Sequence, residues 1–422
     1  MTATTRSSGL DVARGLAILG TFATNVWLFT HPDGLLGTLL EPAAGGTAEA
    51  LAQALPLGKS LALLSLLFGV GLELQRRSVQ RRGGDWNRVH RVRALVLLCE
   101  ATLHFLLVAE FDVLMGYAVA ALVAGPVLLG ADRRRRRFVV VLLSTHALAL
   151  AALTALLATA AAGTGGGALH TPYATGSAWD LVLFRVQNLV VFRAEPVGLL
   201  LLTTASFLLG AGLVRAGLLE REGGRRLRHR LIALGAVGVL AEAVLLVAGG
   251  AHAVLLTRYG SAVLVGLGLL GLVVQVQGGR DRPRWLGRRL AEVGRAALSC
   301  YVLQNVLASA LCYGWGLGLA ATVPDSHRAA LTAGTYLVVA AAVVAVAHLL
   351  ARTGRRGPLE ALSTRAQRAL LTPRGRVPVA ARGTAPVALA DRSRRAQAGH
   401  TPVSVPSSST RPANSSESSS GS

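Results

Sequence analysis

Apolar residues in this chain run in long uninterrupted stretches, and the polar residues between them are bunched into connectors. A bilayer core requires about 20 predominantly apolar residues per spanning helix. On that measure the pattern predicts ten spans, at 10–29, 55–74, 94–111, 113–130, 138–162, 197–214, 231–249, 259–277, 292–313 and 329–351. The third and fourth are short and meet at Glu110-Phe111-Asp112, which reads as a tight helical hairpin. The expected fold class is all-α, a polytopic integral membrane protein, with a membrane domain over 1–351. Residues 352–422 carry twelve arginines and three acids and end Ser/Pro-rich, and are expected to form a basic cytoplasmic tail, largely disordered, with the disorder setting in beyond about residue 371.

Composition narrows this further. Only 15% of the 422 residues are charged and 52% are hydrophobic, with a mean hydropathy of +0.51. Ordinary soluble domains hold about 25% charged residues, so a water-soluble globule of this size is excluded. Basic residues outnumber acidic ones 43 to 21, a net charge of +22. The connectors 75–93, 131–137, 215–230 and 278–290 hold 23 arginines, whereas the alternate set holds only Arg185, Arg193, Arg258 and Arg328. Excess Lys/Arg marks the cytoplasmic side, which places both termini inside. The charge excess thus reports topology, and the expected partner is the lipid bilayer and not a nucleic acid. Asp11 and Arg14 interrupt the start of the first apolar run, so it reads as a retained helix more than a cleaved signal.

Cys99, Cys300 and Cys312 fall inside apolar runs and read as small apolar fillers, with no paired-cysteine metal motif, so no metal is expected. Gly266-Leu267-Gly268-Leu269-Leu270-Gly271 matches a dinucleotide fingerprint literally, but it sits within an apolar span and lacks the strand context. Small-residue helix packing explains it better.

Ionisable groups inside spans are costly and are candidates for function. Asp11 and Arg14, three apart on the first helix, form either an inner-mouth anion site or a helix-end ion pair. Glu100 and His104, four apart on one face, suggest a carboxylate that orients an imidazole for general-base work. Asp112 lies eight residues beyond His104, roughly 12 Å along a straight helix, and is expected not to touch it. Asp112 and Tyr117 instead mark the outer hairpin, as acceptor-binding groups or a helix cap. Lys59 is the one lysine of the chain. It is expected to neutralise Asp112 or to reach the headgroups. Glu242 has no evident local partner. Asn25 reads as a cavity-lining or helix-bonding amide. Tyr301, Gln304 and Asn305 form a polar stripe on the ninth span, either interhelical glue or a cavity lining. His31, in Thr30-His31-Pro32-Asp33, is either an outer-side catalytic group or part of an ordinary turn.

Several short motifs coincide with these residues. Gly294-Arg295-Ala296-Ala297-Leu298-Ser299-Cys300-Tyr301-Val302-Leu303-Gln304, followed by Tyr313-Gly314-Trp315-Gly316-Leu317-Gly318-Leu319, resembles the G-R-M-A-L-T-N-Y-L-L-Q and Y-G-W-G-L-G-L signatures of the YeiB-like membrane protein family. Leu10-Asp11-Val12-Ala13-Arg14-Gly15-Leu16-Ala17 is similar to its opening L-D-x-x-R-G-x-A, and Gly357-Pro358-Leu359-Glu360 to its G-P-x-E ending. The family's C-terminal part, here roughly 215–365, is a domain of unknown function numbered 418. Cys300 replaces the usual asparagine, and the tryptophan expected after Glu360 is absent.

The opening motif and topology look like those of membrane-embedded acyltransferases of the heparan-glucosaminide acetyltransferase type. That resemblance implies a bacterial inner-membrane protein moving an acyl group from cytosolic acyl-CoA, a co-substrate and not a bound cofactor, to a cell-envelope glycan or lipid acceptor. Arg14 and Arg295 would hold the donor's phosphates, with His104 and Glu100 as the catalytic pair and His31 as the alternative. Asp112, Tyr117 and Lys59 would position the acceptor, and Asp11, Asn25, Tyr301 and Gln304 would line the cavity. The competing expectations are a transporter or lipid-linked flippase without covalent chemistry, and a membrane scaffold.

Overall fold

A computed structural model describes residues 8–40, 47–159, 171–278 and 284–372, which are helical with no strand among them. The tail beyond 372 lies outside the described residues. In chain order the helices are α1 Ser8–Thr30, α2 Gly34–Leu40, α3 Thr47–Ala54, α4 Lys59–Arg81, α5 Trp86–Leu107, α6 Leu114–Val127, α7 Asp132–Thr159, α8 Ala178–Gln187 and α9 Leu189–Gly198. They continue as α10 Leu200–Arg215, α11 Arg225–Ala248, α12 Gly250–Leu256, α13 Ala262–Gly278, α14 Trp285–Arg295, α15 Ala297–Cys312, α16 Leu319–Thr322, α17 Arg328–Arg352 and α18 Pro358–Leu371.

Among the described residues, six helical stretches are long and apolar enough to cross a bilayer, fewer than the ten expected: Ser8–Thr30, Glu49–Arg81, Asp132–Leu157, Arg225–Ala248, His252–Gln277 and Asp325–Arg352. The chain is a multi-pass membrane protein by this measure. The other expected spans are broken or differently bounded. The span at 197–214 becomes the α9–α10 pair, bent by 41° next to Pro196, whose ring removes a backbone donor. The span at 292–313 breaks at Ala296 into α14 and α15. The span at 94–111 stops at Leu107, and its successor is only the 14-residue α6. The connector 163–196 contains α8 and most of α9.

Close backbone approaches fix the helix crossings. A Cβ on Gly294 would lie 1.9 Å from the Asp11 carbonyl oxygen, and one on Gly15 would lie 1.9 Å from that of Leu290. The opening Asp-x-x-Arg-Gly motif and the later Gly-Arg-Ala-Ala-Leu motif therefore meet as one α1–α14 packing unit. The glycines of the fingerprint-like run do the same work. A Cβ on Gly268 would meet Gly235 Cα of α11 at 2.5 Å, and one on Gly266 would meet Ala62 of α4 at 2.9 Å.

Three apolar clusters fill the bundle: one around α1, α15 and α17, one around α4–α7 and α10, and one between α1, α4, α11 and α13. At the arginine-rich end the fully buried Glu73 pairs with Arg76, Arg77 and Arg215, and Arg215 also reaches Asp132. α18 packs back onto α5 and α15. Glu360 accepts hydrogen bonds from the Leu298 amide (2.8 Å), the Ser299 amide (3.2 Å) and the Ser299 hydroxyl (2.5 Å). Its carboxylate thereby satisfies donors at the first turn of α15, which no preceding turn can use. This explains the break at Ala296 and the Gly-Pro-Leu-Glu motif together.

Candidate functional site

His104 lies in the last turn of α5. The Val108 and Ala109 amides both donate to its carbonyl, and the helix ends there. The chain then doubles back, so Asp112 Oδ1 comes within 3.4 Å of His104 Nδ1. The straight-helix expectation that these two cannot meet is overturned by this turn. Asp112 is also the cap of α6, accepting from the Leu114 amide at 3.0 Å and the Met115 amide at 3.1 Å. The other imidazole nitrogen, Nε2, is 3.1 Å from Asn305 Nδ2. Tyr301 packs its ring over the imidazole with centroids 5.2 Å apart. His104 and Asp112 are buried, as are Tyr301, Gln304 and Asn305. Neither amide atom of Gln304 has a hydrogen-bond partner among the described residues, nor does Asn305 Oδ1.

Glu100 does not orient His104, since both ring nitrogens already face other groups. It lies instead on the α5 face against which α18 packs, beside Ser363. It lines a cavity of about 400 Å³ that runs from the arginine-rich end to mid-bundle, with Arg14, Gln75, Arg93, Tyr117, Tyr301 and Gln367 among its walls. Arg14 is paired with the buried Asp11 at 2.9 Å. Arg295 is exposed at the end of α14 and is not in this lining; Arg93 supplies the second wall arginine.

A second, smaller cavity of about 120 Å³ lies on the other side of Tyr117, walled by Asn25, Asp112, Phe192, Glu195, Thr203 and Arg258 among others. Three irregular pieces of backbone supply its charged groups. Asp112 comes from the α5–α6 hairpin, Glu195 from the turn before Pro196, and Arg258 from the π-helical turn Thr257–Ser261. Broken helices at membrane depth are tolerated where they line a cavity. Arg258 and Tyr259 both bond Glu195, at 2.7 and 2.8 Å.

Tyr117 belongs to both linings. Its hydroxyl is 2.7 Å from that of Ser65 and donates to the Leu61 carbonyl at 3.1 Å, which holds the ring between the cavities. His104 touches one wall residue of each, Tyr301 on the larger side and Asp112 on the smaller.

The hairpin that presents Asp112 is braced by two arginines that sequence reading left among the loop charges. Arg185 is fully buried, bonds Glu110 at 3.1 Å, and donates to the carbonyls of Leu106 (2.9 Å) and Val108 (3.1 Å). Arg193 donates to the Glu110 carbonyl and stacks over Phe105 at 4.0 Å. Burial, and after it the Glu110 carboxylate, push the Tyr173 phenol far above its ordinary range, so it stays neutral beside that pair. Ser177-x-x-Asp180, a capping box opening α8, was the sequence signal for this segment.

Lys59 does not neutralise Asp112. It pairs with Glu242 at 2.8 Å, which also supplies the partner Glu242 lacked. His31 lies in the turn after α1, where its Nδ1 accepts from the Asp33 amide at 3.1 Å, and it lines neither cavity. Among the described residues no group of three His, Cys, Asp or Glu side chains is placed to hold a metal ion.

Fold and site thus define an all-helical multi-pass membrane protein with a buried polar centre between two cavities. The profile of a family described as "Protein of unknown function (DUF418)" matches residues 213–368. The uncharacterised protein YxaH of Bacillus subtilis (strain 168) is 25% identical over 382 residues, covering 83% of this chain and 91% of that protein.

Proposed function

We propose that this chain is a membrane-bound acyltransferase. It would move an acyl group from a cytosolic donor of the acyl-CoA type to an envelope-side glycan or lipid acceptor. The supporting observation is that two cavities on either side of Tyr117 share it as a wall, while His104 contacts a wall residue of each. Counting α5, α6, the bent α9–α10 pair and α15 as crossings beside the six long helices gives ten. On that topology, in the cytoplasmic membrane, both termini and the arginine-rich end face the cytosol.

In this reading Arg14 and Arg93 face the donor's phosphates. The Asp112 carboxylate, 3.4 Å from Nδ1, favours the Nδ1–H tautomer of His104 and leaves Nε2 as the base. The acceptor hydroxyl or amine displaces Asn305 from Nε2 and gives it a proton. The acceptor's oxygen or nitrogen bonds to the thioester carbon, the carbon–sulfur bond breaks, and the proton passes to the departing thiolate. Tyr117 must swing aside for the two substrates to meet, which releases its bonds to Ser65 and Leu61.

The test has two arms. Mass spectrometry of envelope lipids and glycans with and without the gene should reveal one missing acyl mass. Purified protein should transfer a labelled acyl group from acyl-CoA, and His104→Ala retaining full transfer overturns the mechanism. A transporter would use the same opposed cavities without chemistry; it would show no acyl-CoA-dependent thermal stabilisation.

A further inference from the structure

The Lys59–Glu242 pair is not part of the two-cavity site. It sits in a separate groove of about 300 Å³ between the α3–α4 turn, α11 and α12, whose other walls include Leu51, Leu55, Leu246 and Val254. Those walls face outward: Leu55 is 69% exposed and Val254 51%. On a helix that crosses a bilayer, such a face meets lipid. Glu242 lies six residues before the end of α11, a depth of roughly 9 Å at the usual rise, which is the level of the headgroup and first acyl carbons. Gly249 and Gly250, both at positive φ, break α11 from α12 at the groove's edge.

An ion pair in an apolar groove carries a desolvation penalty that its own attraction does not reliably offset. The pair is half-satisfied. Lys59 Nζ contacts Glu242 Oε2 and the Ala54 carbonyl (2.9 Å), whereas Glu242 Oε1 has no hydrogen-bond partner among the described residues. The cation is the single lysine in a chain with 43 basic residues. Lysine presents a compact ammonium with three rotatable donors, where arginine would present a rigid fork, and it can keep one partner while accepting another.

We propose that this groove is a lipid site for a phospholipid whose headgroup carries a primary ammonium beside its phosphate. The phosphate lies on Lys59, the ammonium on Glu242, and an acyl chain runs along Leu55, Leu246 and Val254. Charge complementarity selects this occupant. An anionic lipid without the ammonium meets the Glu242 carboxylate unopposed, and a neutral lipid leaves both charges unused. The site is independent of the acyl-transfer reading.

The full chain in nanodiscs of equimolar phosphatidylethanolamine and phosphatidylglycerol, extracted into detergent, should retain the amino lipid over the anionic one by about tenfold in native mass spectrometry, the worth of one charge-assisted hydrogen bond. Glu242→Gln should bring the two lipids to parity. Leu246→Trp, which fills the groove and leaves both charges in place, should remove retention of either lipid. Equal retention of the two lipids by the unaltered protein overturns the proposal, as does unchanged retention in Leu246→Trp. The latter variant also decides the matter if Glu242→Gln does not fold.

Discussion

Glu110 and Asp112, two residues apart in one hairpin, are both fully buried, yet their surroundings are built differently. Glu110 faces Arg185, whose guanidinium is consumed by one carboxylate and two main-chain carbonyls, with Arg193 closing over the same turn. Asp112 caps α6 and faces His104, behind which the Tyr301 hydroxyl, both Gln304 amide atoms and Asn305 Oδ1 have no partners among the described residues. The first cluster is a brace. Both clusters keep single unpartnered atoms, Glu110 Oε1 and Arg193 Nε in the first among them, but the first ties its arginines to main-chain carbonyls, whereas in the second the whole Gln304 amide is without a bond among the described residues.

The comparison can be broken at several points. Arg185→Ala strands the Glu110 carboxylate in the interior and should destabilise the protein by about 3–5 kcal/mol, read as loss of folded protein or a large drop in Tm in detergent. His104→Ala should lower the melting temperature clearly less than Arg185→Ala, because Asp112 keeps its two amide donors, and should lower acyl transfer about 10²–10⁴-fold. If instead it melts the protein as Arg185→Ala does, the two clusters are alike. Glu360→Gln weakens the cap of α15 on which Tyr301, Gln304 and Asn305 ride. It should cost about 1.5–3 kcal/mol, visible in thermal unfolding. Gly294→Ala, which drives a Cβ into the Asp11 carbonyl, should cost about 1–3 kcal/mol by the same measurement. The smallest effect is the sharpest test. Gln304→Leu removes two unpartnered amide atoms and should leave stability unchanged or raise it by about 1 kcal/mol while impairing transfer. A clear loss of stability would mean that Gln304 is glue.

Much of this was legible in the sequence, because apolar run length and arginine alternation are local properties. The shared face of Tyr301, Gln304 and Asn305 follows from helical spacing, and the structure places all three in the interior. What could not be read were partnerships between distant segments. Lys59 and Glu242 meet across α4 and α11, and Arg185 reaches Glu110 from a stretch that looked like loop. The His104–Asp112 contact was missed for a different reason. Spacing along a straight helix sets them apart, and nothing in Val108-Ala109 announces that the helix stops. Arg295 and Arg93 exchanged places because charge alone does not say which arginine faces a cavity and which faces water.

The helix that bears Glu360 has a practical consequence for anyone handling this protein. Ser363 and Gln367 form part of the larger cavity's wall, and Glu360 pins the start of α15. A reporter or affinity tag joined after Thr372 leaves both contacts in place. The same tag joined at Gly354, where the last long apolar helix has just ended and a hydropathy plot invites the cut, deletes a wall and a cap at once. Loss of activity in such a fusion would reflect the missing fourteen-residue helix and would say nothing about the tail beyond it.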